Sequence, residues 1–298
     1  TRTGKSQRHI SQRHLRGSLM IRIAVPNKGS LSDAASGMLR EAGYKQRSDT
    51  RDLILIDSEN NVEFYFLRPR DIALYVGSGE LDAGITGRDL LNDSETDAVE
   101  LLGLNFGNST FRFAKPIGSN IDSISNLKIA TSYPTLLGKY LKSQNISAQV
   151  IKLDGAVETS VKLGVADVIA DVVSTGTTLR QAGLEIFDNP IFFSEAILIG
   201  RESQINNADL QVLIRRLQGV VIARQYVLMD YDVPNSLLVQ ACELTPGIES
   251  PTVSPLQASD WSAVRAMVKR ERTNDVMDKL WELGARGILV TDIHACRL

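Results

Sequence analysis

Asp167-Val-Ile-Ala-Asp171-Val-Val-Ser174-Thr175-Gly176-Thr177-Thr178-Leu179 decides how this chain is read. Its first half is almost wholly apolar, as a strand buried on both faces of a parallel sheet should be. Its second half is a run of hydroxyls around a glycine, and Leu179-Arg-Gln-Ala182 then predicts a helix start. A strand, a tight polar loop and a helix N-terminus together make an anion site. Free backbone N–H groups point outward there, and the helix dipole favours negative charge. Asp171, near the carboxyl end of the strand, sets a carboxylate beside the same pocket. A phosphate with a sugar hydroxyl partner suits that chemistry. The other reading is an ordinary β-turn-α junction whose Ser and Thr cap the helix.

Composition narrows the alternatives. With 298 residues, 43% hydrophobic and 23% charged, the chain reads as an ordinary soluble globular protein of one large or two to three modest domains. A net charge of −2 argues against a general nucleic-acid binder, and no apolar run approaches a membrane span. Two cysteines, Cys242 and Cys296, are too few for a disulfide framework, which makes a cytoplasmic location the expectation. The histidines are His9, His14 and His294. With none between Leu15 and Ile293, neither a Ser-His-Asp triad nor a histidine-bound zinc site is expected in the body. Any catalysis must use carboxylates, cations, backbone dipoles and a metal carried by the ligand.

Residues 1–19 carry Lys5 and four arginines without an acid. They are set aside as a basic tail, disordered or non-native, with Met20 opening the first strand. From there β and α alternate. Strands are predicted over 21–25, 62–67, 83–86, 127–131 and 149–153, with helices over 31–42, after Asp71, after Asp89, through Leu141 and across Glu158. Such alternation implies a parallel sheet with helices on both faces, and ligands bind beyond the carboxyl ends of its strands. That rule brings Asn27, Lys28, Arg68, Arg70, Thr86, Arg88, Ser132, Tyr133, Glu158 and the Asp171 loop to related edges.

An internal echo divides the body in two. Gly79-Glu-Leu-Asp82-Ala-Gly-Ile85 and Gly164-Val-Ala-Asp167-Val-Ile-Ala170 share G-x-x-D ahead of a strand. Two similar lobes facing across a cleft are expected, with Asp167 in the scaffold and Asp171 on the ligand side. Phe111-Arg-Phe-Ala-Lys115 and Ser194-Glu-Ala-Ile-Leu-Ile199 would cross between them. After Gly200 an amphipathic helix over 208–224 leads into βαββαβ, the ferredoxin-like order. The domain expectation is 20–110 plus 193–207 for lobe one, 111–192 for lobe two, and 208–298 for a regulatory or oligomerising C-terminal domain.

Six motifs in order resemble the long form of ATP phosphoribosyltransferase, the first enzyme of histidine biosynthesis. They are Val25-Pro-Asn-Lys-Gly29, Phe66-Leu-Arg-Pro-Arg-Asp71, the 79–89 segment ending Thr-Gly-Arg-Asp89, Leu153-Asp-Gly-Ala-Val-Glu158, the 170–179 loop, and Thr245-Pro-Gly-Ile-Glu-Ser-Pro-Thr252. The resemblance covers 20–298. It implies two periplasmic-binding-protein-like lobes and an ACT-like third domain. It further implies Mg²⁺ carried with the substrate phosphates rather than by protein metal ligands, feedback inhibition by histidine, and self-association as dimers and a homohexamer. Neither nucleic acid nor membrane is an expected partner. The implied reaction joins N1 of the adenine of ATP to C1 of phosphoribosyl pyrophosphate (PRPP), releasing pyrophosphate.

Within that reading Asp171 and Glu158 bind ribose hydroxyls and stabilise positive charge on the sugar. Ser174, Thr175, Gly176, Thr177 and Thr178 hold the 5-phosphate. Lys28, Arg68 and Arg88 are cations for the pyrophosphate or triphosphate, with solvated surface charge as the alternative for each. Tyr133 packs beside the nucleotide, or is a core tyrosine. The resemblance places histidine near Asp232, Ile248, Ser250, Thr252 and Gly287, which otherwise read as turn residues of a Pro-rich loop. Two rival functions have the same architecture: a solute-binding or effector-sensing protein, and an inactive regulatory paralogue. The first lacks its expected apolar leader or helix-turn-helix. The intact Asp171 loop and Lys28 argue against the second.

Overall fold

A computed structural model describes residues 20–49 and 51–297. The basic tail expected over 1–19, and Leu298, lie outside the described residues. The chain divides into two compact units, one running to Ser36 and over Lys45–Leu210, the other comprising Gly37–Tyr44 and the chain from Gln211.

The first unit opens with β1 (Ile21–Pro26), the start of α1 (Ser30–Glu41, which passes into the second unit at Gly37), β2 (Ile54–Asp57), β3 (Val62–Leu67), α2 (Pro69–Gly77), β4 (Ala83–Gly87), α3 (Arg88–Ser94) and β5 (Ala98–Gly103). It continues with β6 (Ser109–Pro116), β7 (Lys128–Thr131), α4 (Pro134–Ser143), β8 (Gln149–Lys152), α5 (Thr159–Lys162), β9 (Val168–Val173), α6 (Thr177–Gln181), β10 (Leu184–Ser194) and β11 (Ala196–Arg201). These strands make two sheets, β2-β3-β1-β4-β11-β5 and β10-β6-β9-β7-β8.

The predicted echo is a real repeat. In the first sheet β3, β1 and β4 run parallel, and β11 lies antiparallel to β4. In the second, β8, β7 and β9 run parallel, and β6 lies antiparallel to β9. The shared G-x-x-D has the same task in both. Asp82 donates its N–H to the Arg22 carbonyl and accepts the Arg22 N–H on its carboxylate at 2.8 Å. Asp167 does both with Lys128, again at 2.8 Å on the carboxylate. Each aspartate thus locks the register of its own strand against the parallel neighbour, which is why Asp167 belongs to the scaffold.

Apolar runs build the cores. Val168, Ile169 and Ala170 of β9 are wholly buried because both faces of the second sheet are covered. Phe111, Phe113, Ile129 and Val168 pack with Leu137 of α4, while Ala114, Ala130 and Ile169 pack with Leu179 of α6. In the first sheet Ile72, Ala73 and Val76 of α2 pack on Ile197 and Ile199. Gly84 permits that approach, since a Cβ there would stand 2.5 Å from Ile72 Cγ2.

The all-parallel expectation is corrected: both sheets are mixed. β2 is antiparallel to β3, β11 to both β4 and β5, and β6 to β10 as well as β9. Each pairing involves a strand joined to its chain neighbour without a helix, as β2 is to β3, β5 to β6 and β10 to β11. The 194–199 segment is likewise split, with β10 ending in the second sheet at Ser194 and β11 beginning in the first at Ala196. The helix expected across Glu158 starts one residue later, leaving Glu158 at the N-cap position of α5.

The second unit contains most of α7 (Ala208–Gln225), then β12 (Tyr226–Pro234), α8 (Leu238–Leu244), β13 (Thr252–Pro255), β14 (Trp261–Lys269), α9 (Thr273–Leu283) and β15 (Arg286–Asp292). Sheet order β13-β14-β12-β15, antiparallel throughout, is the ferredoxin-like arrangement. Strict alternation in β12 buries Val227, Met229, Tyr231 and Val233 against Val276 and Leu280 of α9. The second strand, β13, falls inside the segment expected as a Pro-rich loop.

Candidate active site

The exits of β1, β4, β7 and β9 border one cavity of about 400 Å³ in the first unit. Lys28 and Asp89 from the first lobe line it, with Tyr133 and Ser174 from the second and Ser194 and Glu195 from the return crossing.

Asp171 stands half-buried near the end of β9, next to the cavity-lining Val172. Burial first, and the negative charges of Glu158 and Asp89, push its carboxyl up to about 6, while a 2.8 Å bond from the Val172 N–H and the Arg70 charge pull it down. It therefore remains mostly ionised at neutral pH while retaining a high-energy, poorly solvated charge.

The loop after it leaves its donors uncommitted. Ser174, Thr175, Thr177 and Thr178 are exposed. Their one mutual contact is Thr175 Oγ1 to Thr177 Oγ1 at 3.2 Å. Gly176 is left-handed at φ +71°, and no side chain caps α6. The capping alternative therefore fails, and the first-turn amides of Thr177 and Thr178 remain open.

Tyr133 precedes α4, where Arg70 lies 4.8 Å from its ring centroid and Phe111 meets the ring edgewise. Burial first, then the negative charge of Asp89, push the hydroxyl's pKa well above the ordinary range. Asp89 is itself 6% exposed and receives the Ser194 hydroxyl at 2.6 Å. Lys28 is exposed on the cavity wall, and Arg68 is exposed at the start of α2, outside that wall.

Arg88 is differently placed. It grips Glu100 through Nε and a terminal nitrogen at 2.8 and 2.7 Å, and Glu195 at 2.8 Å. Glu195 also accepts the Asn105 N–H, so this cluster ties the two chain crossings together. Two other edge residues are structural: Thr86 donates to the Pro69 carbonyl and Ser132 to the Leu153 carbonyl.

Asp89 and Ser194 were not singled out as site residues from the sequence. Asp89 lay inside a quoted motif, but its partner is 105 residues away and nothing local marks it.

In the second unit Asp232 meets Gly287, whose added Cβ would stand 3.4 Å from Asp232 Oδ2. Gly287 holds φ +60°, a conformation open to glycine at little cost. Ile248, Ser250 and Thr252 are exposed along the segment leading into β13, which β14 separates from Asp232.

Comparison with known proteins agrees over most of the chain. The family model described as ATP phosphoribosyltransferase matches residues 68–219, and that described as HisG, C-terminal domain, matches 223–295. ATP phosphoribosyltransferase of Arthrobacter sp. (strain FB24) is 61% identical over 286 residues, covering 94% of this chain and 100% of the relative. That of Salinispora tropica is 54% identical over 283 residues, with the same coverage. Among solved structures, an ATP phosphoribosyl transferase (HisG:HisZ) complex from Thermotoga maritima superposes with TM-score 0.59 at 27% identity, over 68% of this chain and 98% of that one.

Proposed function

The chain belongs to the ATP phosphoribosyltransferase family of glycosyltransferases, and we propose that it joins N1 of the adenine of ATP to C1 of PRPP with release of pyrophosphate, in the first step of histidine biosynthesis. The observation that carries this reaction is the half-buried Asp171, whose carboxyl feels the charge of Glu158, just ahead of an uncapped hydroxyl loop.

The C1–oxygen bond breaks with its electron pair leaving on pyrophosphate, and the N1 lone pair forms the new bond. Positive charge develops on the sugar between these events. Asp171 and Glu158 hold negative charge where it develops, and low solvation makes that charge act strongly. The same carboxylates accept the ribose hydroxyls. Ser174, Thr175, Gly176, Thr177 and Thr178 take the 5-phosphate on amides and hydroxyls. The gain is positional and electrostatic, with no covalent intermediate.

Lys28 and Arg68, both exposed, are assigned to the pyrophosphate or triphosphate. Arg88 carries the same assignment, and a phosphate reaches it by displacing Glu100 or Glu195. Tyr133, on the cavity wall, packs beside the adenine. Mg²⁺ rides on the substrate phosphates, ligated mainly by their oxygens and water.

The domain bounds and location rest on the sequence pattern, and the effector and assembly assignments on the family resemblance. Lobe one comprises 20–110 with 193–207, lobe two 111–192, and the regulatory domain 208–298. Histidine inhibits by binding near Asp232, Ile248, Ser250, Thr252 and Gly287. A carboxylate there suits its amino group, and hydroxyls and amides suit its carboxylate. The protein works in the cytoplasm as dimers assembled into a hexamer. Among the described residues no helix is long and apolar enough to cross a membrane. An assay of pyrophosphate release from ATP plus PRPP, with and without histidine, tests the proposal; no turnover under Mg²⁺ would sink it.

A further inference from the structure

We propose that Asp93 and Arg70 form a clasp between the two lobes that sets Tyr133 for the nucleotide, with Asp93 acting as a positioning residue through α4. Asp93 lies near the end of α3 in the first lobe, and its side chain is 7% exposed. Its Oδ1 accepts the N–H groups of Thr135 at 2.9 Å and Leu136 at 3.0 Å, which open α4 in the second lobe.

Helix α4 needs an outside acceptor. Tyr133 offers it no side-chain cap, and Pro134 has no N–H, so Thr135 and Leu136 carry the first donors of the helix. Caps ordinarily come from the residue just ahead of the helix. Here the acceptor is 42 residues away in the other lobe, and its charge also complements the helix dipole.

The other carboxylate oxygen holds Arg70 at 3.0 Å, and Arg70 in turn lies over the Tyr133 ring. The Asp89 carboxylate, four residues before Asp93 on the same helix, acts on the Tyr133 hydroxyl through its charge. Lys139 of α4 donates to the Asn92 carbonyl at 3.1 Å. Helix α3 thus grips the start of α4 directly and reaches the ring of Tyr133, the second-lobe aromatic on the cavity wall, through the Asp93–Arg70 pair.

The kinetic reading of this clasp rests on the proposed reaction, whereas amide exchange and ATP binding do not. In the full chain, Asp93→Ala should raise the KM for ATP by about tenfold while the KM for PRPP moves less than about twofold. The Thr135 and Leu136 amides should exchange about tenfold faster, and calorimetric ATP affinity should fall in parallel. Asp93→Asn keeps an oxygen for the cap and should restore amide protection and most of the ATP affinity.

Arg70→Gln leaves the cap intact and serves if Asp93→Ala does not fold. It should weaken ATP several-fold without changing exchange at Thr135 and Leu136. Three results would overturn the clasp: unchanged amide exchange in Asp93→Ala, equal rises in both KM values, or unaltered ATP affinity in Arg70→Gln. Absence of ATP–PRPP turnover in the parent protein, with the binding and exchange results as stated, would refute the reaction and leave the clasp standing.

Discussion

The carboxylate of Glu158 repels that of Asp171. Burial first, and this repulsion with it, push the Asp171 carboxyl up to about 6. The family reaction offers a reason to maintain such a strained charge, since a positive sugar centre relieves it in the transition state.

Asp171→Asn should therefore separate activity from stability. An aspartate that titrates near 3.8 unfolded and about 6 folded costs stability above pH 6, and the cost disappears as pH falls towards 3.8. At neutral pH the cost is up to about 3 kcal/mol. The variant should lose about a hundredfold or more in turnover while its thermal midpoint at pH 7 stays level or rises by several degrees. An unchanged rate would remove Asp171 from the site.

The pH profile follows from the same carboxylate. Catalysis needs the ionised form, so kcat/KM should fall as pH drops through about 6. Below that point the slope should approach tenfold per pH unit. A profile flat down to pH 5 would contradict the assignment.

The strand of β9 was legible because an apolar run ended in hydroxyls and glycine, and the lobes because G-x-x-D recurs at one structural task. The edge strands β2 and β10 were not. β2 exposes Ile54 and Ile56, and β10 carries Pro190 and a bulge between Phe187 and Phe192, so neither shows a clean alternation. The partners of charged groups were also hidden, because they come from distant chain. Arg88 reads as a free cation beside Gly87, yet Glu100 and Glu195 hold it.

Gly176→Ala tests the phosphate loop. At φ +71° an alanine is strained by about 1–2 kcal/mol, and its Cβ would press on Ile186 Cδ1 at 3.3 Å. The KM for PRPP should rise about tenfold, with the KM for ATP little changed. Steady-state kinetics varying each substrate checks this, and equal effects on both would place the loop elsewhere.

Inhibition by histidine should depend on the Asp232–Gly287 contact. Asp232→Ala or Ser250→Ala removes one charge-assisted or polar contact, worth roughly 1.5–3 kcal/mol. The half-inhibiting histidine concentration should rise at least about tenfold with near-normal uninhibited turnover. Gly287→Ala, strained because that position holds φ +60°, should do the same. Equal inhibition in all three variants would refute this effector site.

Pyrophosphate release from ATP plus PRPP with Mg²⁺, measured side by side for the parent chain and Asp171→Asn, bears most directly on the whole account. Steady release by the parent that needs both substrates and nearly vanishes in the folded variant is the expected result. No release by the parent, or equal release by both, would contradict it.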